Sequence, residues 1–149
     1  MTFRILLVED DPSDEKLAVL AFKRCEIPHQ VVVARDGAQA LGYLLGEGVA
    51  EPANLDSLPR LVLLDLKLPR VDGLDVLRRL RDNERTRLLP VVVLSASREE
   101  SDLKASLSLG ANAYVRKPLD FLEFVATART LIQFWLQLNE ALPNDLRHE

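Results

Sequence analysis

Five positions in this sequence carry side chains that could do chemistry, and each follows a short apolar run. Glu9 and Asp10 follow Arg4-Ile5-Leu6-Leu7-Val8, and Asp65 ends Leu61-Val62-Leu63-Leu64. Ser95 follows Pro90-Val91-Val92-Val93-Leu94, and Lys117 follows Ala113-Tyr114-Val115-Arg116. Taken singly, each has an ordinary explanation. Asp65 reads as a helix N-cap or turn residue, Ser95 as a strand-end cap and Lys117 as a solvated charge. Brought together, they make a set of three carboxylates, a hydroxyl and an ammonium. Carboxylates without thiols or imidazoles suit a hard cation such as Mg²⁺, which favours a site completed by phosphate oxygens. A lysine and a hydroxyl facing that ion suit a phosphoryl group, so the implied chemistry is phosphoryl transfer. Asp65 is the central acid. Attack by its oxygen on an incoming phosphoryl group would give an aspartyl phosphate.

These residues can meet only if the runs before them are strands of one sheet. Short, continuous apolar runs read as strands buried on both faces of a parallel sheet. Val31–Ala34 supplies a further strand. Helical spacing predicts helices over about 13–25, with Leu17, Leu20, Ala21 and Arg24 in register, and over 38–45. Further helices are expected from Leu74 to Asp82, with Arg78, Arg79 and Arg81 outside, and from Glu99 to Leu109. The last begins at a capping-box-like Asp120 and Glu123 and carries its apolar stripe through Phe121, Phe124, Val125, Ala128, Leu131, Ile132, Trp135 and Leu138. Run to Leu142, it would be about 33 Å long. Asp11 or Ser13 can cap the first helix, with Pro12 early in it. Five strand–helix alternations predict an α/β fold, a doubly wound parallel sheet with helices on both faces. Ligands of such sheets bind beyond the carboxyl ends of the strands. With the first strand between the second and third, the ends carrying Glu9, Asp10, Asp65, Ser95 and Lys117 converge. Gly46–Pro59 breaks the rhythm and reads as a long loop.

The chain has 149 residues, 48% hydrophobic and 28% charged, which suits one domain with a real core. The expectation is a single domain, with a core over 4–142 and a frayed tail over 143–149. No stretch has the roughly 20 apolar residues that span a bilayer, and no signal peptide is visible. A net charge of −4 offers no basic face for nucleic acid. The one cysteine, Cys25, fits a cytoplasmic setting and a packing role. His29 and His148 form no ligand pattern and are expected to be exposed.

Glu9-Asp10, Asp65, Ser95 and Lys117-Pro118, in this order on successive strand ends, resemble the signature of the receiver domain of two-component response regulators, the family of the chemotaxis receiver protein. The resemblance runs from Arg4 to about Leu142. It implies a flavodoxin-like sheet of order 2-1-3-4-5 and a phosphoacceptor signalling protein with at most slow autodephosphorylation. Position by position it implies that Asp65 accepts phosphate from a histidine kinase. Asp10 and Glu9 would bind Mg²⁺ together with Asp65 and the backbone carbonyl of Lys67. Ser95 would be the switch hydroxyl and Tyr114 the switch aromatic, its ring turning inward when Ser95 moves. The Lys117–Pro118 bond is expected to be cis. The sequence has Glu9 where many members have Asp, and the 46–59 loop is longer than in the chemotaxis protein. That loop and the ending Leu131-Ile132-Gln133-Phe134-Trp135 through Leu142-Pro143 resemble a narrower group, the single-domain regulators paired with phytochromes. This resemblance implies a bacteriophytochrome-type kinase as donor, and often a homodimer.

The residues themselves also point to a dimer. Phe134, Trp135, Leu136 and Leu138 wrap around more than one face of the last helix, and such a helix usually has a second partner. The downstream partner is expected to be a protein that the sequence does not identify. The rival reading is a Mg-dependent phosphohydrolase acting through an aspartyl phosphate. Hydrolases of the haloacid dehalogenase type place a D-x-D at the end of the first strand, whereas this first strand ends Glu9-Asp10-Asp11 and the acceptor stands on the third. A nucleotide binder would need a glycine-rich loop after the first strand, and none follows. A receiver-like scaffold that is never phosphorylated would not need the full set of site residues.

Overall fold

The structure is a computed structural model and describes residues 3–46 and 58–142. Most of the expected loop, residues 47–57, lies outside the described residues, as do the tail 143–149 and His148. The chain alternates β1 (Phe3–Val8), α1 (Pro12–Lys23), β2 (His29–Ala34), α2 (Gly37–Leu45) and β3 (Leu61–Leu64). It continues through α3 (Gly73–Asp82), β4 (Val91–Ser95), α4 (Glu100–Ser108), β5 (Ala113–Arg116) and α5 (Phe121–Ile132). All neighbouring strands pair in parallel, in the order β2-β1-β3-β4-β5.

Alternate residues of each central strand face opposite sides of the sheet. Ile5, Leu7, Leu61 and Leu63 pack under α1 and α5, against Ala18, Phe22, Phe124 and Ala128. Leu6, Val8, Val62 and Leu64 pack under α2 and α3, against Leu41, Leu44, Val76 and Leu77. Every residue of β3 and β4 is buried, which explains their unbroken apolar runs. Burial on both faces holds their carboxyl ends still.

Helix starts follow local chemistry. Asp11 caps α1, its Oδ1 accepting from the Ser13 N–H at 2.8 Å and the Asp14 N–H at 3.2 Å, with Pro12 in the first turn. Asp36 caps α2 by accepting from the Gln39 N–H at 2.7 Å. Asp120 caps α5 through the Leu122 N–H at 3.3 Å.

Several expectations need correction. On α1 the buried face is Ala18, Ala21 and Phe22, while Leu17 and Leu20 are exposed. Small alanines let α1 approach α5 closely, which turns the leucines outward. Arg81 does not stand outside α3. Its guanidinium folds back to donate to the carbonyls of Gly110, Thr86, Arg87 and Leu89 and to Asn112 Oδ1. His29 is half-buried, edge-on to Phe22, with Nδ1 2.6 Å from the Ile27 carbonyl oxygen. The last helix stops short of Leu142. After Ile132 it widens into a π-helical segment, Gln133–Leu138, which Asn139 closes by donating its N–H to the Phe134 carbonyl at 2.7 Å. Leu136 is buried within that segment, whereas Leu138 is exposed. No cis peptide bond occurs among the described residues, so Lys117–Pro118 is trans. A trans X–Pro bond is the intrinsically favoured form, and here it already delivers the Lys117 ammonium to Glu9 and Asp65.

Candidate phosphoryl-acceptor site

The acids stand one residue beyond the paired strands. The Glu9 N–H donates to the Ala34 carbonyl at 2.9 Å and the Asp65 N–H to the Val8 carbonyl at 3.1 Å. Both ladders thus extend by one bond and aim the two carboxylates at the same edge. Lys117 is held likewise, its N–H donating to the Ser95 carbonyl at 2.8 Å. Behind Asp65, the chain returns at Gly73, where an added Cβ would lie 2.3 Å from the Asp65 carbonyl oxygen. Only glycine lets the start of α3 pass so close to the acceptor strand.

One ammonium organises the site. Lys117 Nζ ion-pairs with Glu9 Oε2 at 2.5 Å, Asp65 Oδ2 at 3.2 Å and Asp14 Oδ2 at 3.4 Å. The second oxygen of Glu9 accepts from the Asp11 N–H at 3.2 Å. Asp65 Oδ1 takes no hydrogen bond from the described residues. Glu9 and Asp65 are buried, and Asp10 is exposed at the rim. Glu9, Asp10 and Asp65 can each offer one oxygen, all within 4.8 Å of one another. An all-carboxylate donor set of that size fits a hard divalent cation.

The electrostatics follow from more acids than bases in a partly buried space. Burial pushes the Glu9 carboxyl up to about 7, with the Asp65 charge adding to the rise and Lys117 opposing it. Burial alone would lower the Lys117 ammonium, but the Glu9 hydrogen bond and the Asp65 and Glu9 charges outweigh it and hold it above the usual lysine range. Both groups are thus shifted upward, Glu9 by burial beside a second acid and Lys117 by the acids that surround it.

Ser95 is buried at the end of β4, its Oγ accepting from the Ser97 N–H at 3.2 Å. Tyr114 is half-buried on β5, and its hydroxyl donates to the Ser97 carbonyl at 3.1 Å. Its ring borders a hollow of about 390 Å³ that is also lined by Arg98, Leu103 and Arg116. The Lys67 side chain points into solvent, 76% exposed, while its backbone stands two residues past Asp65. The expected residues thus share one edge of the sheet. Three further members were not picked out from the sequence. They are Asp14 in the first turn of α1, Ser97 just past β4 and Asp102 in the first turn of α4. Their only signal was position at the same edge, after β1 and β4.

A five-stranded doubly wound parallel sheet with three acids and a lysine gathered at its carboxyl edge defines an α/β domain with an acidic, cation-compatible site. The response regulator receiver domain family matches residues 5–129, and the chain belongs to that family. Among curated relatives, it is 42% identical over 140 residues to the probable methanogenesis regulatory protein FilR2 of Methanothrix harundinacea, covering 93% of this chain and 87% of that one. It is 36% identical over 133 residues to response regulator Rcp1 of Synechocystis sp., covering 89% and 88%. Among solved structures, the phosphorylated cyanobacterial phytochrome response regulator RcpA superposes with a TM-score of 0.85 at 38% identity, covering 94% of this chain and 98% of that one. The Mn²⁺-bound form of Rcp1 superposes with a TM-score of 0.83 at 34% identity, covering 94% and 99%.

Proposed function

We propose that this chain is a single-domain response regulator of a two-component phosphorelay, phosphorylated on Asp65 by a histidine kinase. The observation that carries the reading is the asymmetry of the Asp65 carboxylate: Oδ2 is paired with Lys117 and Oδ1 is free. Oδ1 is the nucleophile. It attacks phosphorus, the phosphohistidine N–P bond breaks, and the imidazole leaves with the bonding pair. Lys117 stays charged and takes a phosphoryl oxygen in place of part of its present pairing. Glu9, Asp10, Asp65 and the Lys67 carbonyl would hold Mg²⁺. When bound, the ion neutralises phosphoryl charge that Lys117 alone cannot. The Ser95 hydroxyl turns toward the new phosphoryl group and the Tyr114 ring follows, altering the surface offered to a downstream protein.

The donor we favour is a bacteriophytochrome-type, light-sensing kinase in the cytoplasm, on the likeness to RcpA and Rcp1. The likeness to FilR2 supports a second reading, in which the same receiver serves a metabolic input. Exposed Phe134 and Leu138 at the end of the last helix support a homodimer through that segment.

The decisive experiment adds a small phosphodonor and Mg²⁺ to the wild type and to Asp65→Asn. The wild type takes up one phosphoryl group and the variant none. Equal labelling of both would remove Asp65 from the role. Phosphotransfer profiling against the histidine kinases of the source organism then separates the two inputs.

A further inference from the structure

The residues from Leu66 to Gly73 form a closed loop. The Gly73 N–H returns to the Leu66 carbonyl at 3.0 Å, which ties the start of α3 to the residue after the acceptor. Within the loop, the Val71 N–H donates to the Pro69 carbonyl at 2.8 Å, a three-residue turn centred on Arg70. Arg70 has φ +70° and is the one non-glycine residue with positive φ among the described residues. Such backbone is disfavoured for an L-residue and persists where its surroundings enforce it. The loop's own basic side chains enforce little, because Arg70 is 72% and Lys67 76% exposed.

The enforcement comes from the start of α2. Gly37 is buried there, and an added Cβ would lie 2.0 Å from the Val71 carbonyl oxygen and 2.7 Å from the Val71 Cβ. Val71 thus rests on bare backbone. Beside it, Asp36 Oδ2 lies 4.0 Å from the Arg70 guanidinium. A side chain on Gly37 would force the two segments apart by about 1 Å or more. Helix α2 cannot yield readily, because Ala40, Leu41 and Leu44 pack it onto the sheet. The loop can, since Leu66 and Gly73 at its two ends are its buried residues.

We propose that Gly37 is a positioning residue for the metal site: by leaving room for Val71, it keeps the 66–73 loop in the shape that gives the Lys67 carbonyl its place as a ligand. This rests on the proposed metal role of that carbonyl. Metal–ligand distances tolerate only about 0.2 Å, so a loop pushed outward by several times that amount gives the ligand up. The carboxylates of Glu9, Asp10 and Asp65 follow β1 and β3 and stay where they are. Losing a group that orients a metal ligand weakens binding by about 10- to 100-fold.

Mn²⁺ is the probe, with free ion measured by electron paramagnetic resonance in titrations of the full-length protein. Wild type binds it, and Asp10→Asn weakens that binding. Gly37→Ala binds at least about tenfold more weakly than wild type. Gly110→Ala is the control for general loosening. It strains a backbone at φ +102° beside Arg81, lowers thermal stability and keeps the wild-type affinity. Two further variants reach the loop from its exposed side. Arg70→Gly and Arg70→Val remove the same charge, but glycine accepts positive φ and β-branched valine resists it. Arg70→Gly keeps the wild-type affinity, and Arg70→Val loses about tenfold. Wild-type affinity in Gly37→Ala overturns the proposal, as does an equal loss in Gly110→Ala. Should Gly37→Ala not fold, the Arg70 pair decides, and equal affinities in its two members overturn the proposal. A wild type that does not bind Mn²⁺, or binding that ignores Asp10→Asn, overturns the metal reading itself.

Discussion

Each end of the sheet holds a half-buried cation, and the two are treated in opposite ways. At the carboxyl edge, Lys117 is surrounded by the carboxylates of Glu9, Asp14 and Asp65. At the other edge, Arg81 is surrounded by neutral acceptors, the carbonyls of Thr86, Arg87, Leu89 and Gly110 and the amide of Asn112. Backbone carbonyls carry no net charge and do not titrate near neutrality, so the Arg81 end is a staple between α3, the 83–90 turn and the approach to β5. Gly110, at φ +102°, brings its carbonyl within reach of that guanidinium. Carboxylates are charged and can be protonated, so the Lys117 end can exchange partners. One cation fixes structure, and the other leaves an excess of negative charge that a metal ion can neutralise.

Removing each cation should therefore fail differently. Lys117→Ala strands two buried acids and should cost about 4 kcal/mol of stability at pH 8 without metal. Denaturant titration should show much of that loss recovered at pH 6 or with millimolar Mg²⁺, because protons or metal replace the ammonium. Signalling output should fall even where some phosphate is still accepted. Arg81→Ala should cost about 3 kcal/mol, by leaving several carbonyls without a donor. That loss should be indifferent to Mg²⁺, and phosphoryl uptake at low temperature should stay near wild type. If Mg²⁺ rescued the Arg81 variant as well, the contrast between the two ends would be gone.

A subtler difference lies in pH. The folded-state value of Glu9, about 7, exceeds its usual 4.5 because of burial. Between these values the native metal-free protein holds a proton that the unfolded chain has released. This group's contribution to stability therefore declines as pH rises through that window. A bound metal needs the ionised carboxylate, so binding below pH 7 releases a proton. Apparent affinity should rise about tenfold from pH 6 to 8. Calorimetry in buffers of different ionisation enthalpy measures both quantities, and a flat profile with no proton release would show that Glu9 is already ionised. The smallest expected effect belongs to the exposed end of the last helix. Leu138→Asp should weaken self-association several-fold by sedimentation, on the scale of one apolar contact, and leave phosphoryl uptake unchanged.

The strands were legible because burial on both faces demands unbroken apolar runs, and Leu61–Leu64 and Val91–Leu94 have little else to be. Glu9, Asp10, Asp65, Ser95 and Lys117 were legible as strand-end residues once the alternation suggested a parallel sheet. Arg81 was misplaced because helical periodicity ranks a residue by its type. It borders the buried Leu77 one turn earlier, and its long apolar stem lets the charge travel to acceptors that lie far along the chain. The α1 face was misjudged by one position for a related reason. Leucine outranks alanine in hydrophobicity, but close helix packing there selects the smaller side chain. The last helix shows no breaker before Pro143, and nothing local announces the widening after Ile132.

Sequence alone determined the order of elements, the helix caps at Asp11 and Asp120, and which acids follow which strands. These are decided by local hydrogen bonding and by the burial of short runs. Only the tertiary structure decided that Lys117 serves three acids at once, that Asp65 keeps one oxygen free, and that Ser97 joins Ser95, Tyr114 and Asp102. Those contacts link residues up to 108 positions apart. Their geometry depends on how the sheet twists and how closely the loops pack, which no local rule of spacing encodes.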